Sequence, residues 1–306
     1  MIVVQLTGGL GNQMFQYATA RALAARRRTE LVLDSSWIDG GGGSVTGELR
    51  RYELGCFELD APLVPVERVA RLPRSRAARL RRLLPRGGRP VLHEMVEPPF
   101  GRPLPALLDA PDDSYLRGYW QNTTYFEHAE PLLRRDFTFR PAIVERSADV
   151  AAAISTSPRP TASVHVRRSD YVADPGVRER MGPLEPEYYR RALAAVAERA
   201  GRVRTFVFTD DPEWCESHLE RDADADILGA TRAEGDTWAS FMHLMTLCDH
   251  HVLANSSFGW WGAWLDPRAD KIVVAPEPWL QDPRWDNSRR LPESWLRVPR
   301  RAAALA

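Results

Sequence analysis

From Ala162 onward, short apolar runs alternate with longer helical patterns, and this alternation limits the possible folds more than any other feature. Spacing predicts strands at Ala162–Val166, Arg204–Phe208, His251–Ala254 and Lys271–Ala275. Between them it predicts helices at Pro186–Ala200, Pro212–Leu219, Thr237–Cys248 and Ser257–Leu265. Gly201 suits the left-handed stop after one helix, and Pro212 the first position of another. Strands alternating with helices specify a doubly wound α/β sheet. The start of the chain repeats the theme. Ile2–Leu6 reads as a strand, Thr7–Gln13 as a glycine-rich turn, and Glu30–Asp34 as a second strand. The helix between them carries Phe15, Ala18, Ala22 and Leu23 on one face. A chain of 306 residues suggests two domains. An Ala/Ser/Pro-rich stretch between Arg140 and Ala162 places their junction, giving domains 1–155 and 156–306.

Bulk properties remove several function classes. Lys+Arg and Asp+Glu both total 41, so no global field favours nucleic acid. Cys56, Cys215 and Cys248 show neither a disulfide framework nor zinc spacing. No run approaches the ~20 apolar residues of a membrane span. The chain opens directly on a strand, with no basic leader, so a cytoplasmic location is expected. Arg68–Arg89 holds nine arginines. It reads as a solvated helix or as a peripheral surface for an anionic or lipid-carried acceptor.

Several motifs carry chemistry. In Asn255-Ser-Ser257 a strand turns into a helix capped by Asn and Ser, and helix starts bind anions. The same stretch also reads as a plain capped helix with Trp261, Trp264 and Leu265 in the core. In Ser163–Asp170, period two puts His165 and Arg167 on one face at a strand end. There they can hold a phosphate, with Asp170 orienting an arginine or acting on substrate. A surface ion pair is the plainer reading. Asp210 and Asp211 end the next strand and could read a base, meet ribose, bind a metal or cap a helix. Tyr119, Trp120 and Gln121 mix rings with amide donors, which suits a sugar, or a packed strand. Asn12 and Gln13 follow Gly9 and Gly11, half of a dinucleotide fingerprint, with Met14 in the third glycine's place and Asp34 near the ribose position. Asp222–Asp226 reads as a solvated loop, and no metal site is expected. P-loop and Gly-x-Ser-x-Gly motifs are absent.

Taken together the motifs resemble the bacterial α-1,2-fucosyltransferases of glycosyltransferase family 11. Gly8–Ala18, Leu116–Gln121 with Tyr125 and Phe126, His165–Tyr171, Phe208–Asp211 and Asn255–Leu265 occur in the family's order. Two positions differ: Ser169 stands for the usual Gly, and Gly259 for the usual Ser. The resemblance implies a GT-B-like pair of Rossmann-type domains facing across a cleft. It further implies transfer from GDP-β-L-fucose to the 2-hydroxyl of a terminal β-galactoside, free or lipid-linked, with inversion and without metal or cofactor. On that template Arg167 grips the diphosphate, and Asp170 is a candidate base. Asn12, Gln13, His165, Asp210, Asp211, Asn255, Ser256 and Ser257 bind the donor, and Tyr119, Trp120 and Gln121 the acceptor. An NAD(P)-dependent oxidoreductase and a non-catalytic sugar-binding protein with ten tryptophans are the competing expectations.

Overall fold

The computed structural model describes residues 1–42, 49–65, 68, 92–220, 225–229 and 237–301. The chain divides into two compact units, one of Met1–Gly55 and Leu59–Asp136, the other of Cys56–Glu58 and Phe137–Ala306. The arginine-rich stretch beyond Arg68 lies outside the described residues, as do 222–224 of the expected Asp/Ala loop.

The first unit is built on five parallel strands: β1 (Ile2–Gln5), β2 (Leu31–Asp34), β3 (Leu63–Val64), β4 (His93–Val96) and β5 (Ser114–Arg117). Their order is β3-β2-β1-β5-β4, with Val3 paired to Val32 on one side and to Tyr115 on the other. The helix Leu10–Arg27 follows β1 and buries thirteen of its residues. It stops where Arg28 adopts a left-handed φ of 53°, and Arg26 and Arg27 sit at its negative end. Because β1 lies between β2 and β5, the strand order reverses beside the glycine-rich turn.

The second unit carries six parallel strands: β6 (Thr161–Val166), β7 (Arg204–Thr209), β8 (Asp226–Gly229), β9 (His250–Val252), β10 (Val273–Glu277) and β11 (Leu296–Pro299). Their order is β11-β10-β9-β6-β7-β8. The chain winds outward from β6 through β7 to β8, then returns to β9 and winds the other way. Ligands of such sheets bind at the carboxyl ends of the two strands where the winding reverses, here β6 and β9. Tyr188, Tyr189, Ala192 and Val196 form the buried stripe of the Pro186–Ala200 helix and pack with Val164, Val207 and Val252. The Ser257–Leu265 helix is buried from Gly259 to Trp264. Trp260, Trp261 and Trp264 stack edge and face within 6.2 Å of one another, so the tryptophans are core.

The junction falls after Asp136, earlier than the Ala/Ser/Pro stretch suggests. Pro141–Arg146 and Ala148–Ser155 are helices of the second unit and pack on the Thr237–Leu247 helix. Ser147, between them, is hydrogen-bonded to His243 at 2.8 Å. Alanine here is a helix former with a close-packing surface, and no linker is required. Residues 56–58 join this unit because Phe57 meets the rings of Phe137 and Phe139 at about 5 Å centroid separation.

His250 and His251 are scaffold. His251 is fully buried between the Ser163 hydroxyl (2.8 Å) and the Asp266 carboxylate (3.0 Å), and Arg268 holds the other Asp266 oxygen. Among the described residues no three His, Cys, Asp or Glu side chains gather as metal ligands would.

Candidate active site

The reversal point of the second unit collects most of the residues that the motifs single out. His165 is the penultimate residue of β6, and Arg167 follows the strand. Ala254, just past β9, donates its amide to the His165 carbonyl at 3.0 Å, which ties the two strand ends together. Arg167 is one-tenth exposed. Its guanidinium spans two carboxylates, Asp170 at 2.6 Å and Asp210 at 2.7 Å. Burial opposes the Arg167 charge, but Asp210 and Asp170 more than offset this and hold its pKa above the ordinary arginine value.

Asp210 is the organiser of this corner. Besides Arg167 it accepts from the Arg168 amide (2.8 Å), the Ser169 amide (3.2 Å) and the Ser169 hydroxyl (2.6 Å). Three of these four donors converge on Oδ2 and one on Oδ1, so the carboxylate is committed chiefly to holding this corner together. Asp211 caps the Pro212–His218 helix through the Trp214 amide (3.1 Å) and also accepts from Arg168. Of the roles open to Asp211, the helix cap is the one realised.

Asn255, Ser256 and Ser257 lead into the tryptophan helix. Ser256 is its N-cap, and its hydroxyl accepts from the Phe258 amide. Asn255 is buried: its amide donates to the Met181 carbonyl at 2.6 Å, and its backbone carbonyl accepts from the Tyr171 hydroxyl at 3.0 Å. Its side-chain Oδ1 has no partner. Tyr171 in turn lies under Arg167, whose guanidinium is 5.7 Å from the ring centre. One connected path therefore runs from Arg167 through Tyr171 to Asn255 and the start of the helix.

His165 is buried against Phe258, and its Nδ1 has no partner. Burial pulls its pKa down to about 3, so the ring is neutral at physiological pH. The unfolded chain binds that proton at about pH 6.5 and the folded chain only near 3. Above 6.5 the group leaves stability unaffected. Below it, acid favours the unfolded chain by up to about 1.4 kcal/mol per pH unit. Chemical unfolding from pH 7 to 5 is expected to show this loss in the parent, and a slope smaller by close to one proton in His165→Gln.

In the first unit, Asn12 and Gln121 meet at that sheet's own reversal point. Gln121 donates its amide to Asn12 Oδ1 at 2.8 Å. Tyr119 beside them is 43% exposed and able to stack. Two other candidates are placed as scaffold, which corrects their assignment. Gln13 is buried, donates to the Gly8 and Arg51 carbonyls and accepts from the Glu53 amide. Trp120 is fully buried and edge-on to Tyr125, with no face left for a sugar. Glu53 also takes the Leu10 amide at 2.7 Å, so the protein's own carboxylate occupies a first-turn donor of that helix. Asp34 is buried, bonded to Ser36 and Tyr115, which withdraws the acid that a dinucleotide ribose would need.

A family model, glycosyl transferase family 11, matches residues 107–298. The chain belongs to glycosyltransferase family 11. This member of family 11 is 29% identical to the alpha-1,2-colitosyltransferase of Escherichia coli, over 92% of this chain and 93% of that one. It is 28% identical to the Escherichia coli O-antigen biosynthesis glycosyltransferase WbnK, over 90% and 93%. It is 24% identical to human galactoside alpha-(1,2)-fucosyltransferase 1, over 84% and 63%. Among solved structures it resembles the α-1,6-fucosyltransferase NodZ soaked with GDP-fucose, with TM-score 0.53, 17% identity, and 89% and 94% coverage. The fold is thus α/β of the GT-B type.

The two departures from the family pattern have local explanations. The Ser169 hydroxyl gives Asp210 a donor that glycine lacks. A Cβ on Gly259 would come within 2.6 Å of His165 Nδ1, so the bare backbone lets the imidazole sit against the helix. Gly259→Ala is therefore expected to displace that ring, at a cost of about 1–3 kcal/mol from overpacking. The expected signs are a lower Tm together with weaker GDP binding in a titration. Tyr171 is the residue that sequence reasoning passed over; it stands next to Asp170 in the same motif.

Proposed function

We propose that this enzyme transfers L-fucose from GDP-β-L-fucose to the 2-hydroxyl of a terminal β-galactoside, with inversion to an α-1,2 linkage. The observation that carries the reading is the pairing of Arg167 with the Asn255–Ser257 helix start at the reversal of one parallel sheet. Both ends offer donors to a single diphosphate. Membership of family 11 and relatives named for α-1,2 transfer support the linkage. As the sugar–phosphate bond breaks, the ring gains positive charge and the diphosphate negative charge, and donors fixed in advance stabilise the latter. Arg167 and Ser256 hold the phosphates in this scheme. His165, Asn255 and Ser257 complete the donor subsite, and Asn12, Tyr119 and Gln121 are the first unit's candidates for contacts to the sugars. Asp170 acts chiefly by holding Arg167. No resident cofactor or metal takes part.

The 29% identity to a colitosyltransferase favours a second donor, the GDP-linked 3-deoxy analogue of fucose. Purified protein incubated with either donor, a lactose-type acceptor and EDTA separates the readings. Release of GDP with an α-1,2-fucosyl product supports the first reading, and preference for the 3-deoxy donor the second. Turnover of other nucleotide sugars with GDP-fucose left intact contradicts the proposal.

A further inference from the structure

The charges at the β6 corner do not suit a diphosphate by themselves. In the ion pairs among the described residues, two guanidinium groups, Arg167 and Arg168, face three carboxylates, Asp170, Asp210 and Asp211, one positive charge short of balance. An anion with two or three negative charges would meet a slightly repulsive cluster. Further positive charge within reach of this corner would improve its fit to an anion.

Arg300, one residue past β11, fits that need. It is buried, and among the described residues it has no carboxylate partner. Its two terminal nitrogens donate to the carbonyls of Trp279 and Gly182. Gly182 has φ +62°, and a Cβ there would come within 2.8 Å of the guanidinium, so this turn is shaped around it. Burial pulls its pKa below the ordinary arginine value. A buried cation without a counter-ion is costly and marks a place where an anion is expected.

Bonds connect it to the site. Gly182 is next to Met181, whose carbonyl holds the Asn255 amide, and the Asn255 carbonyl holds Tyr171 beneath Arg167. Asn255 Oδ1, one link along this path, is buried and unpartnered. Arg180 adds to the same field: it is half-buried over Trp285, has no carboxylate partner among the described residues, and acts on the Tyr171 hydroxyl. We propose that Arg300, with Arg180 in support, supplies the net positive charge of the nucleotide-diphosphate subsite, while Arg167 orients the diphosphate from within its carboxylate pair. The proposal rests on the reading of this corner as a nucleotide-diphosphate site.

GDP titrations at two salt concentrations, with Tm measured alongside, test it. Arg300→Gln is expected to raise the GDP Kd by roughly tenfold and flatten its salt dependence, whereas Arg300→Lys keeps the charge and stays within about threefold of the parent. A role confined to clamping the two carbonyls would impair both variants alike. Equal weakening by Lys and Gln, or parent-like binding by the Gln variant, overturns the inference and leaves the donor reading intact. Should the neutral variant not fold, Arg300→Lys decides alone, and a tenfold loss there overturns it. A parent chain that binds no GDP removes the donor reading, and the inference with it.

Discussion

Replacing Arg167 with alanine is expected to cut turnover by about 10²–10³-fold, the usual cost of removing one preorganised partner of developing charge. The loss should fall mainly on kcat, because the charge on the departing diphosphate grows in the transition state. Two side effects must be separated from it. The substitution leaves Asp170 and Asp210 facing each other without their shared cation, which lowers stability as well. Arg167→Lys distinguishes the contributions. A lysine carries the charge but cannot span two carboxylates with a planar fork, so it should restore part of the stability and little of the rate. Steady-state kinetics beside thermal melts read both. Turnover by Arg167→Ala at the parent's speed would remove Arg167 from the chemistry.

Asp210→Asn is expected to be the most destabilising single-atom-scale change in this corner, by roughly 1–3 kcal/mol, because it strands buried donors while Arg167 keeps Asp170 as its remaining carboxylate. The amide also cannot accept on both arms, so one of the Arg168 and Ser169 donors is left facing an NH₂ group. Asp211→Asn one residue later is the natural contrast. Asparagine caps helices about as well as aspartate, so the cost there should stay at about 1 kcal/mol or less. Denaturant unfolding of the two variants measures the difference. Equal stability losses would mean that the division of labour between the two aspartates is misassigned, and a selective loss of GDP affinity in Asp211→Asn would make that residue a ligand contact.

Much of this architecture is legible in the residues. The inner strands of each sheet are buried on both faces, and the expected Ala162–Val166 and Arg204–Phe208 appear as β6 and β7 with an extra residue each. The Pro186–Ala200 helix appears with the boundaries that proline and Gly201 imply. Outer strands carry weaker signals. β8 begins at Asp226, at the end of a stretch that reads as a solvated loop, and β11 is only half-buried. The site divides in the same way. Arg167 and the Asn255–Ser257 turn are visible because their chemistry is local to a strand end. The use of Gln13 and Asp210 as scaffold depends on partners far along the chain, Arg51 and Glu53 for one and Arg167 with Ser169 for the other, which no spacing rule connects, and that of Trp120 on its complete burial. Arg300 gives no signal in the sequence at all; what singles it out is burial without a carboxylate partner among the described residues.

The proposed reaction requires a nucleotide diphosphate at the reversal between β6 and β9. Hydrogen exchange of the full chain with and without GDP tests it most directly. Strongest protection is predicted in segments covering 165–171 and 254–260, with NAD(P) giving none. Protection confined to 7–14, or protection by NAD(P) in place of GDP, would contradict it.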